Sequence, residues 1–173
     1  MRKAKRPEPS DPSDIFVALN RGGVQYLAIG GIAAIAHGVP RTTFDVDLAV
    51  RLETANLERL AAVMRRLEFE PRVPANVVRL ADPKTRQMWT RQKMMKVFSF
   101  IERQAPFRVV DVMVRPLPRF EQLYSRRLQV RYGRVNVPVV PVEELIRMKS
   151  GTGRLRDQED VEFLRAVRRL SRP

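Results

Sequence analysis

The 173-residue chain carries 33 Lys and Arg residues against 19 Asp and Glu residues, so its formal net charge at pH 7 is +14. Its length predicts one domain with a hydrophobic core and argues against two full domains. No stretch approaches the roughly 20 apolar residues that cross a bilayer, and the chain has no cysteine for a disulfide or a thiolate zinc site. We therefore expect a soluble, cytoplasmic protein with no membrane contact.

The excess positive charge favours an acidic partner, and it is conspicuous between residues 84 and 108. That stretch holds seven basic residues and one acidic residue, Glu102, with Trp89 and Phe98 between them. Cations that neutralise phosphates and aromatic rings that stack on bases are typical of a nucleic-acid surface. The alternative is that the charges are simply solvated, because the excess is spread along the whole chain.

The pattern of apolar residues predicts one domain over residues 11–173, preceded by a disordered basic tail at residues 1–10. In chain order we expect a helix at 11–21, a strand at 24–29, a short helix at 32–37, a strand at 44–50, a helix from 54 to about 67, strands at 77–80, 94–101 and 107–114, a helix at 119–126, a hairpin of 128–132 and 135–140, and helices at 142–149 and 157–170. Asp157 and Asp160 are expected to cap the last helix.

Two acidic residues alternate with apolar residues in the predicted strand at 44–50. This alternation places Asp45 and Asp47 on one face, with α-carbons roughly 6.5–7 Å apart. Two carboxylates held so close are costly unless a cation neutralises them, and oxygen-only ligands suit Mg²⁺ or Mn²⁺. Asp111 lies in another apolar strand. If the two strands are adjacent, the three carboxylates can hold two metal ions about 4 Å apart, as in phosphoryl or nucleotidyl transfer.

The dipeptide Gly30-Gly31 joins a predicted strand to a predicted helix. A turn without β-carbons lets triphosphate oxygens approach backbone N–H groups at the start of the helix. Taken alone, the pair is also explained by a tight strand-to-helix connection, and an Asp-x-Asp pair also occurs on solvated edge strands. The presence of both in one sequence favours nucleotide chemistry.

The string Ile29–Gly31, thirteen residues, then Asp45–Leu48 resembles the signature of the DNA polymerase β-like nucleotidyltransferase superfamily. That signature is a hydrophobic residue, Gly, Gly or Ser, a spacer, then Asp-hydrophobic-Asp/Glu-hydrophobic. The fuller string over residues 30–48 looks especially like small bacterial enzymes related to the AbiEii toxins of abortive-infection and toxin–antitoxin systems. Lys149 and the segment Arg156–Asp160 resemble the lysine and Lys/Arg-Asp-x-x-Asp region of the same group.

The resemblance implies an α+β fold, with a central mixed β-sheet flanked by helices and a C-terminal helical segment at about residues 141–170. It also implies a bound nucleoside triphosphate and Mg²⁺- or Mn²⁺-dependent transfer of a nucleoside monophosphate with release of pyrophosphate. In the toxin-like relatives the acceptor can be a tRNA end, and an antitoxin protein is then an expected partner.

The resemblance implies that Gly30 and Gly31 hold the triphosphate and that Lys149 contacts a phosphate or the nucleobase. It also implies that the metal ions are held by Asp45, Asp47 and Asp111, and that Asp111 acts as the general base of the reaction. Arg41 and Thr42 lie in the loop before the aspartates and are further nucleotide-binding candidates. Arg41 could pair with phosphate or with Asp45, and a cation at Lys149 is also favoured by the end of its helix. His37, the only histidine, is expected to have a structural hydrogen-bonding role.

We therefore predict a nucleotidyltransferase with RNA, and tRNA in particular, as the acceptor, because of the basic excess. Two alternatives stay open. The same chemistry could act on a protein or on a small molecule such as an antibiotic, or the chain could be a catalytically silent relative that binds nucleic acid or a partner protein.

Overall fold

The computed structural model describes residues 11–170. The predicted disordered tail at residues 1–10 lies outside the described residues. The described elements, in chain order, are α1 (Ser13–Arg21), β1 (Tyr26–Ala28), α2 (Gly30–Ala36), β2 (Val46–Val50), α3 (Thr54–Arg66), β3 (Phe69–Pro71), a 3₁₀ helix (Val77–Ala81), α4 (Pro83–Gln92), β4 (Val97–Glu102), β5 (Val109–Met113), α5 (Phe120–Ser125), β6 (Leu128–Tyr132), β7 (Val135–Val139), α6 (Val142–Ser150) and α7 (Leu155–Leu170).

The described strands form one seven-stranded mixed sheet in the order β3-β4-β5-β2-β1-β7-β6. β2 pairs parallel with β5 and β1 pairs parallel with β7, whereas the other neighbouring pairs are antiparallel. α1 packs against β7 and α3, and α2 packs against β2 and α6. This is the α+β architecture, with a central mixed sheet, that the sequence predicts. Within residues 11–170, no helix is both long enough and apolar enough to cross a membrane.

The parallel pairing of β2 with β5 brings the two acidic strands together, as the metal-site hypothesis requires. Asp47 is the direct register partner of Asp111, and the residues on either side of them also pair with each other. Those flanking side chains, Val46, Leu48, Val110 and Val112, are buried. Because successive side chains of a strand point to opposite faces, both carboxylates emerge on the face opposite these apolar residues.

Residues 77–80 are predicted to form a strand, and this prediction is wrong because they belong to the 3₁₀ helix. Val77 and Leu80 are both buried, and their spacing of three residues matches the period of that helix. The side chain of Asn76 accepts a hydrogen bond from the backbone amide of Val78 and so begins the turn. A short run of apolar residues does not by itself distinguish a strand from a helical turn.

The sequence pattern predicts no element between residues 80 and 94, where the structure has α4. The Asp82 carboxylate accepts hydrogen bonds from the backbone amides of Lys84 and Thr85, and it also accepts one from the Thr85 hydroxyl. These bonds from Thr85 and Lys84 lower the pKa of Asp82. Asp82 is therefore the N-cap of a helix whose first residue is proline, which favours helix initiation.

One of the two interpretations of the basic stretch places its aromatic residues on a nucleic-acid surface, and the structure contradicts it for Trp89 and Phe98. Trp89 on α4 is 1% exposed and Phe98 on β4 is fully buried. Their rings stack on each other with centroids 5.7 Å apart. The two rings therefore fix α4 to the sheet, and they are not available to stack on a base.

The junction of α1 and α3 is closely packed at Gly22, the C-cap residue of α1. A β-carbon added to Gly22 would overlap Cγ2 of Val63 on α3. We expect Gly22→Ala to lower the free energy of unfolding by about 1–3 kcal/mol, the usual range for overpacking. Urea or thermal unfolding of the purified variant measures this.

Gly151 provides a matched control, because it also caps a helix with right-handed backbone angles, φ −87° and ψ −1° against −76° and −1° at Gly22. The atom nearest to a β-carbon added there would be 3.8 Å away. Gly151→Ala should leave stability unchanged or raise it by about 0.5 kcal/mol. Equal destabilisation by both substitutions would contradict the packing at the α1–α3 junction.

Candidate active site

A cavity of about 530 Å³ lies where the Gly30 turn, β2, β5 and α6 meet. The sequence-predicted site residues that line it are Gly30, Gly31, Arg41, Asp45, Asp47, Asp111 and Lys149. Thr42 is exposed and does not line the cavity, whereas its neighbour Thr43 does. A larger cavity of about 780 Å³, between α3 and β3, contains none of the predicted site residues.

The cavity concentrates negative charge at Asp47 and Asp111. Burial, and then the nearby charges of Asp111 and Asp45, raise the pKa of Asp47 to about 6, against the opposing effects of the Gly31 amide and Lys149. Oδ1 of Asp111 is buried and has no hydrogen-bond partner among the described residues. Leaving a buried carboxylate oxygen unpaired is costly. The pair is therefore a site at which a positive charge is strongly favoured.

A divalent cation fits the donor chemistry of this pair. Carboxylate oxygens are the ligands that Mg²⁺ and Mn²⁺ prefer, and both the unpaired oxygen of Asp111 and the raised pKa of Asp47 are features that a bound cation relieves. Among residues 11–170, however, no group of three or more His, Asp or Glu side chains lies close enough to hold a metal ion together. Asp45 is exposed and directly precedes β2.

Gly30 allows the Asp47 carboxylate to lie directly against the turn between β1 and α2. Its φ is +60°, and a β-carbon there would lie 2.6 Å from Cγ of Asp47. The Gly31 amide donates a hydrogen bond to the Asp47 carboxylate, and the Ile29 amide donates to the Asp47 backbone carbonyl at 2.9 Å. The close approach of β2 therefore requires glycine at position 30, a reason that the sequence does not disclose.

Lys149 on α6 is enclosed by two carboxylates and only 7% of its side chain is exposed. Its Nζ lies 2.7 Å from Oδ1 of Asp157 and 2.8 Å from Oδ2 of Asp160. Burial opposes ionisation of Asp157, but hydrogen bonds from Lys149 and Thr152 outweigh it, so the pKa of Asp157 is lowered. The predicted capping role of the two aspartates is wrong, because α7 begins at Leu155 and both carboxylates bind Lys149.

Asp160 also binds Arg41, whose Nη1 lies 2.7 Å from its Oδ2. The sequence offered phosphate or Asp45 as partners of Arg41. In the structure its carboxylate partner is Asp160, 119 residues further along the chain, and not Asp45. The loop before β2 is thereby attached to α6 and α7. His37 has the expected structural role, since its Nε2 lies 2.8 Å from the carbonyl oxygen of Val140.

Sequence reasoning did not assign Lys96, Arg154 and Arg156 to the site, yet all three line the cavity. They are exposed, and none of them takes part in the ion pairs found among residues 11–170. Lys96 comes from the loop before β4, Arg154 comes from the connection between α6 and α7, and Arg156 lies in the first turn of α7. Arg156 begins the Lys/Arg-Asp-x-x-Asp match, which was the one available signal, whereas no pattern in the sequence distinguishes Lys96 and Arg154 from the other basic residues.

No protein-family model matches the chain, and no curated protein matches its sequence. Solved structures do match. The lincosamide antibiotic adenylyltransferase LnuA with lincomycin bound superposes with a TM-score of 0.59 at 12% identity, over 92% of this chain and 99% of that chain. An antigenic nucleotidyltransferase-like protein from Paracoccidioides brasiliensis gives 0.56 at 16% identity, over 93% and 75%. The antibiotic-resistance factor ANT(2'')-Ia gives 0.50 at 16% identity, over 91% and 89%. The chain therefore has the nucleotidyltransferase fold.

Proposed function

We propose that this protein is a metal-dependent nucleotidyltransferase that transfers a nucleoside monophosphate from a nucleoside triphosphate to a hydroxyl group of RNA, with tRNA as the preferred acceptor. The observation that carries the proposal is the pairing of Asp47 with Asp111 on adjacent parallel strands in the cavity, with one carboxylate oxygen unpaired. The fold shared with the lincosamide antibiotic adenylyltransferase LnuA and with a nucleotidyltransferase-like protein supports it.

Asp47 and Asp111 would hold the Mg²⁺ or Mn²⁺ from the two paired strands, with Asp45, which is exposed and not grouped with them in this structure, as a proposed further ligand. A bound ion would neutralise phosphate charge and lower the pKa of the acceptor hydroxyl. Asp111 accepts the proton of that hydroxyl as the acceptor oxygen attacks the α-phosphorus. The bond from the acceptor oxygen to the α-phosphorus forms while the bond to pyrophosphate breaks. Asp111 is half-buried, and its unpaired Oδ1 is shielded from solvent.

The basic residues that line the cavity are of two kinds, those paired with carboxylates and those that form no ion pair among the described residues. Arg41 and Lys149 are balanced by carboxylates, so we propose that they shape the nucleotide site and contact phosphate or base from fixed positions. Lys96, Arg154 and Arg156 form no ion pair among the described residues, so their charges are available to phosphates. Gly30 and Gly31 present a surface without β-carbons to the triphosphate.

Three cavity-lining cations and one exposed aromatic residue support an RNA acceptor. Lys96, Arg154 and Arg156 are exposed and line the cavity, and neutralising phosphates is a dominant source of affinity for nucleic acids. Phe44, adjacent to Asp45, is 65% exposed. An exposed aromatic ring that is adjacent in sequence to a proposed metal ligand is available to stack on a base, which is the role that the buried Trp89 and Phe98 cannot perform.

A small-molecule acceptor is the second candidate. It is favoured by the structural likeness to LnuA, a lincosamide antibiotic adenylyltransferase, and to the antibiotic-resistance factor ANT(2'')-Ia. The proposed metal site and nucleotide site are the same in both candidates. Only the identity of the labelled acceptor separates them.

We expect the purified protein with Mg²⁺ and an α-labelled nucleoside triphosphate to label tRNA, and we expect Asp45→Ala, Asp47→Ala and Asp111→Ala each to reduce transfer by roughly 100-fold or more. Each of the four nucleoside triphosphates is tested with tRNA, protein extract, a lincosamide or an aminoglycoside. Glu159→Ala, which removes an exposed carboxylate from α7, is the control and should retain activity. Equal transfer by the wild type and Asp47→Ala would refute the proposal, whereas label on an antibiotic would favour the second candidate.

The metal site can be tested without turnover through Asp47. The pKa of Asp47 is raised in the folded protein, so the fold is more stable with Asp47 protonated than with Asp47 ionised. The stability that comes from protonated Asp47 is fully present below about pH 4 and is lost as the pH rises through about 6. In chelator at pH 7.5, the free energy of unfolding of Asp47→Asn should therefore exceed that of the wild type by on the order of 2 kcal/mol. The variant should accordingly unfold at a higher temperature. Below pH 4 the difference should disappear.

Mg²⁺ should reverse the order at pH 7.5 by stabilising the wild type and not Asp47→Asn. Thermal unfolding with and without Mg²⁺ measures both effects. A wild-type unfolding temperature that is insensitive to Mg²⁺ and Mn²⁺ would count against a metal site at these carboxylates.

Gly30→Ala should abolish transfer because the new β-carbon displaces the Asp47 carboxylate. Gly133 is the matched control, since its φ of +57° is close to the +60° of Gly30 and a β-carbon there meets nothing within 4 Å. Both substitutions should cost about 1–2 kcal/mol of backbone strain, measured by thermal unfolding. Only Gly30→Ala should also lose transfer and the stabilisation by Mg²⁺. Full activity in a folded Gly30→Ala protein would show that the contact between residue 30 and Asp47 is dispensable.

A further inference from the structure

Thr43 lies in the cavity at a position for which the sequence suggested no role. It is half-buried and lines the cavity together with Gly31, Asp45 and Asp47. Its neighbour Thr42, the threonine selected from the sequence, is exposed and lies outside the lining. The two adjacent residues have the same chemistry, so the fold alone selects between them.

The side chain of Thr43 fills the space that a side chain at position 31 would occupy. A β-carbon added to Gly31 would lie 2.6 Å from Oγ1, 2.8 Å from Cβ and 3.1 Å from Cγ2 of Thr43. All three distances are shorter than ordinary van der Waals contact. The absence of a side chain at Gly31 therefore creates the space in which the Thr43 hydroxyl is held against the turn.

The Thr43 hydroxyl forms no hydrogen bond with another described residue. The nearby Asp47 carboxylate already accepts a hydrogen bond from the Gly31 amide. A hydroxyl offers one proton and two acceptor positions, so the proton of Thr43 is available to an anion that enters the cavity. Among the groups of a nucleoside triphosphate, the phosphate oxygens are the anionic acceptors.

We propose that Thr43 is a substrate-binding residue that donates a hydrogen bond from Oγ1 to a phosphate oxygen of the bound nucleoside triphosphate. This inference rests on the proposed function, because it assumes a triphosphate in the cavity. It assigns to Thr43 a contact that Thr42 cannot make from outside the lining. The role is distinct from packing, since it needs the hydroxyl and not merely the shape of threonine.

The direct test measures binding of an α,β-methylene nucleoside triphosphate, which cannot be cleaved between the α- and β-phosphorus atoms, in the presence of Mg²⁺. Thr43→Val keeps the shape and removes the donor, so we expect its affinity to fall about tenfold or more, as for a lost hydrogen bond to a charged group. Thr43→Ser keeps the donor and should stay within about threefold of the wild type. Thr42→Val is the matched control and should bind as the wild type does.

A second test exchanges the two positions. In the double variant Gly31→Ser/Thr43→Ala, the serine hydroxyl can occupy the space that Thr43 leaves, so we expect it to bind the analogue more tightly than Thr43→Ala alone. Gly31→Ser alone should lower the unfolding temperature, because its side chain overlaps Thr43. This exchange keeps the inference testable even if Thr43→Val folds poorly.

The outcomes separate the inference from the function on which it rests. If the wild type binds no triphosphate analogue with Mg²⁺, the proposed function fails and the inference fails with it. If the wild type binds the analogue and a folded Thr43→Val binds it equally well, the inference alone is overturned. Weaker binding by Thr43→Val, together with retention by Thr43→Ser and Thr42→Val, supports it.

Discussion

The parallel pairing of β2 with β5 is the constraint on which the rest of this structure depends. It holds Asp47 beside Asp111 on one face of the sheet, while the apolar neighbours of both residues are buried on the other. A register slip by one residue would exchange these faces, so the hydrophobic core fixes the position of the carboxylates. The fold thus enforces an arrangement of like charges that is unfavourable unless a cation is bound.

Other features of the cavity follow from that arrangement. Gly30 is needed because the Asp47 carboxylate occupies the space beside it, and the absence of a side chain at Gly31 leaves room for Thr43. On the opposite wall, Asp160 joins Arg41 to Lys149 and so connects the loop before β2 with α6 and α7. Arg41 and Lys149 are thereby balanced within the protein, whereas the cavity-lining Lys96, Arg154 and Arg156 form no ion pair within residues 11–170.

A shared fold indicates the chemistry that a site can support, but it does not specify the acceptor. The solved neighbours include proteins named for antibiotics, whereas the exposed Phe44 and the basic rim here are features of a nucleic-acid surface. The basic character of the whole chain was a weak guide to this surface. Its local form, three basic residues around one cavity with no ion pair among the described residues, is a stronger one because these residues line the proposed nucleotide site.

The sequence by itself determined most helices and strands and the two acidic strands, because alternation and helical periodicity show which face of an element is apolar. It did not determine which elements lie side by side, and so the contact of Asp47 with Asp111, the enclosure of Lys149 and the choice of Thr43 over Thr42 were decided only by tertiary structure. Local patterns also left a surface position open for Trp89, which the structure buries. The physical reason is that apolar periodicity shows which face of an element is buried from water. It does not show which residue that face contacts, because the contacting residue comes from a segment distant in sequence.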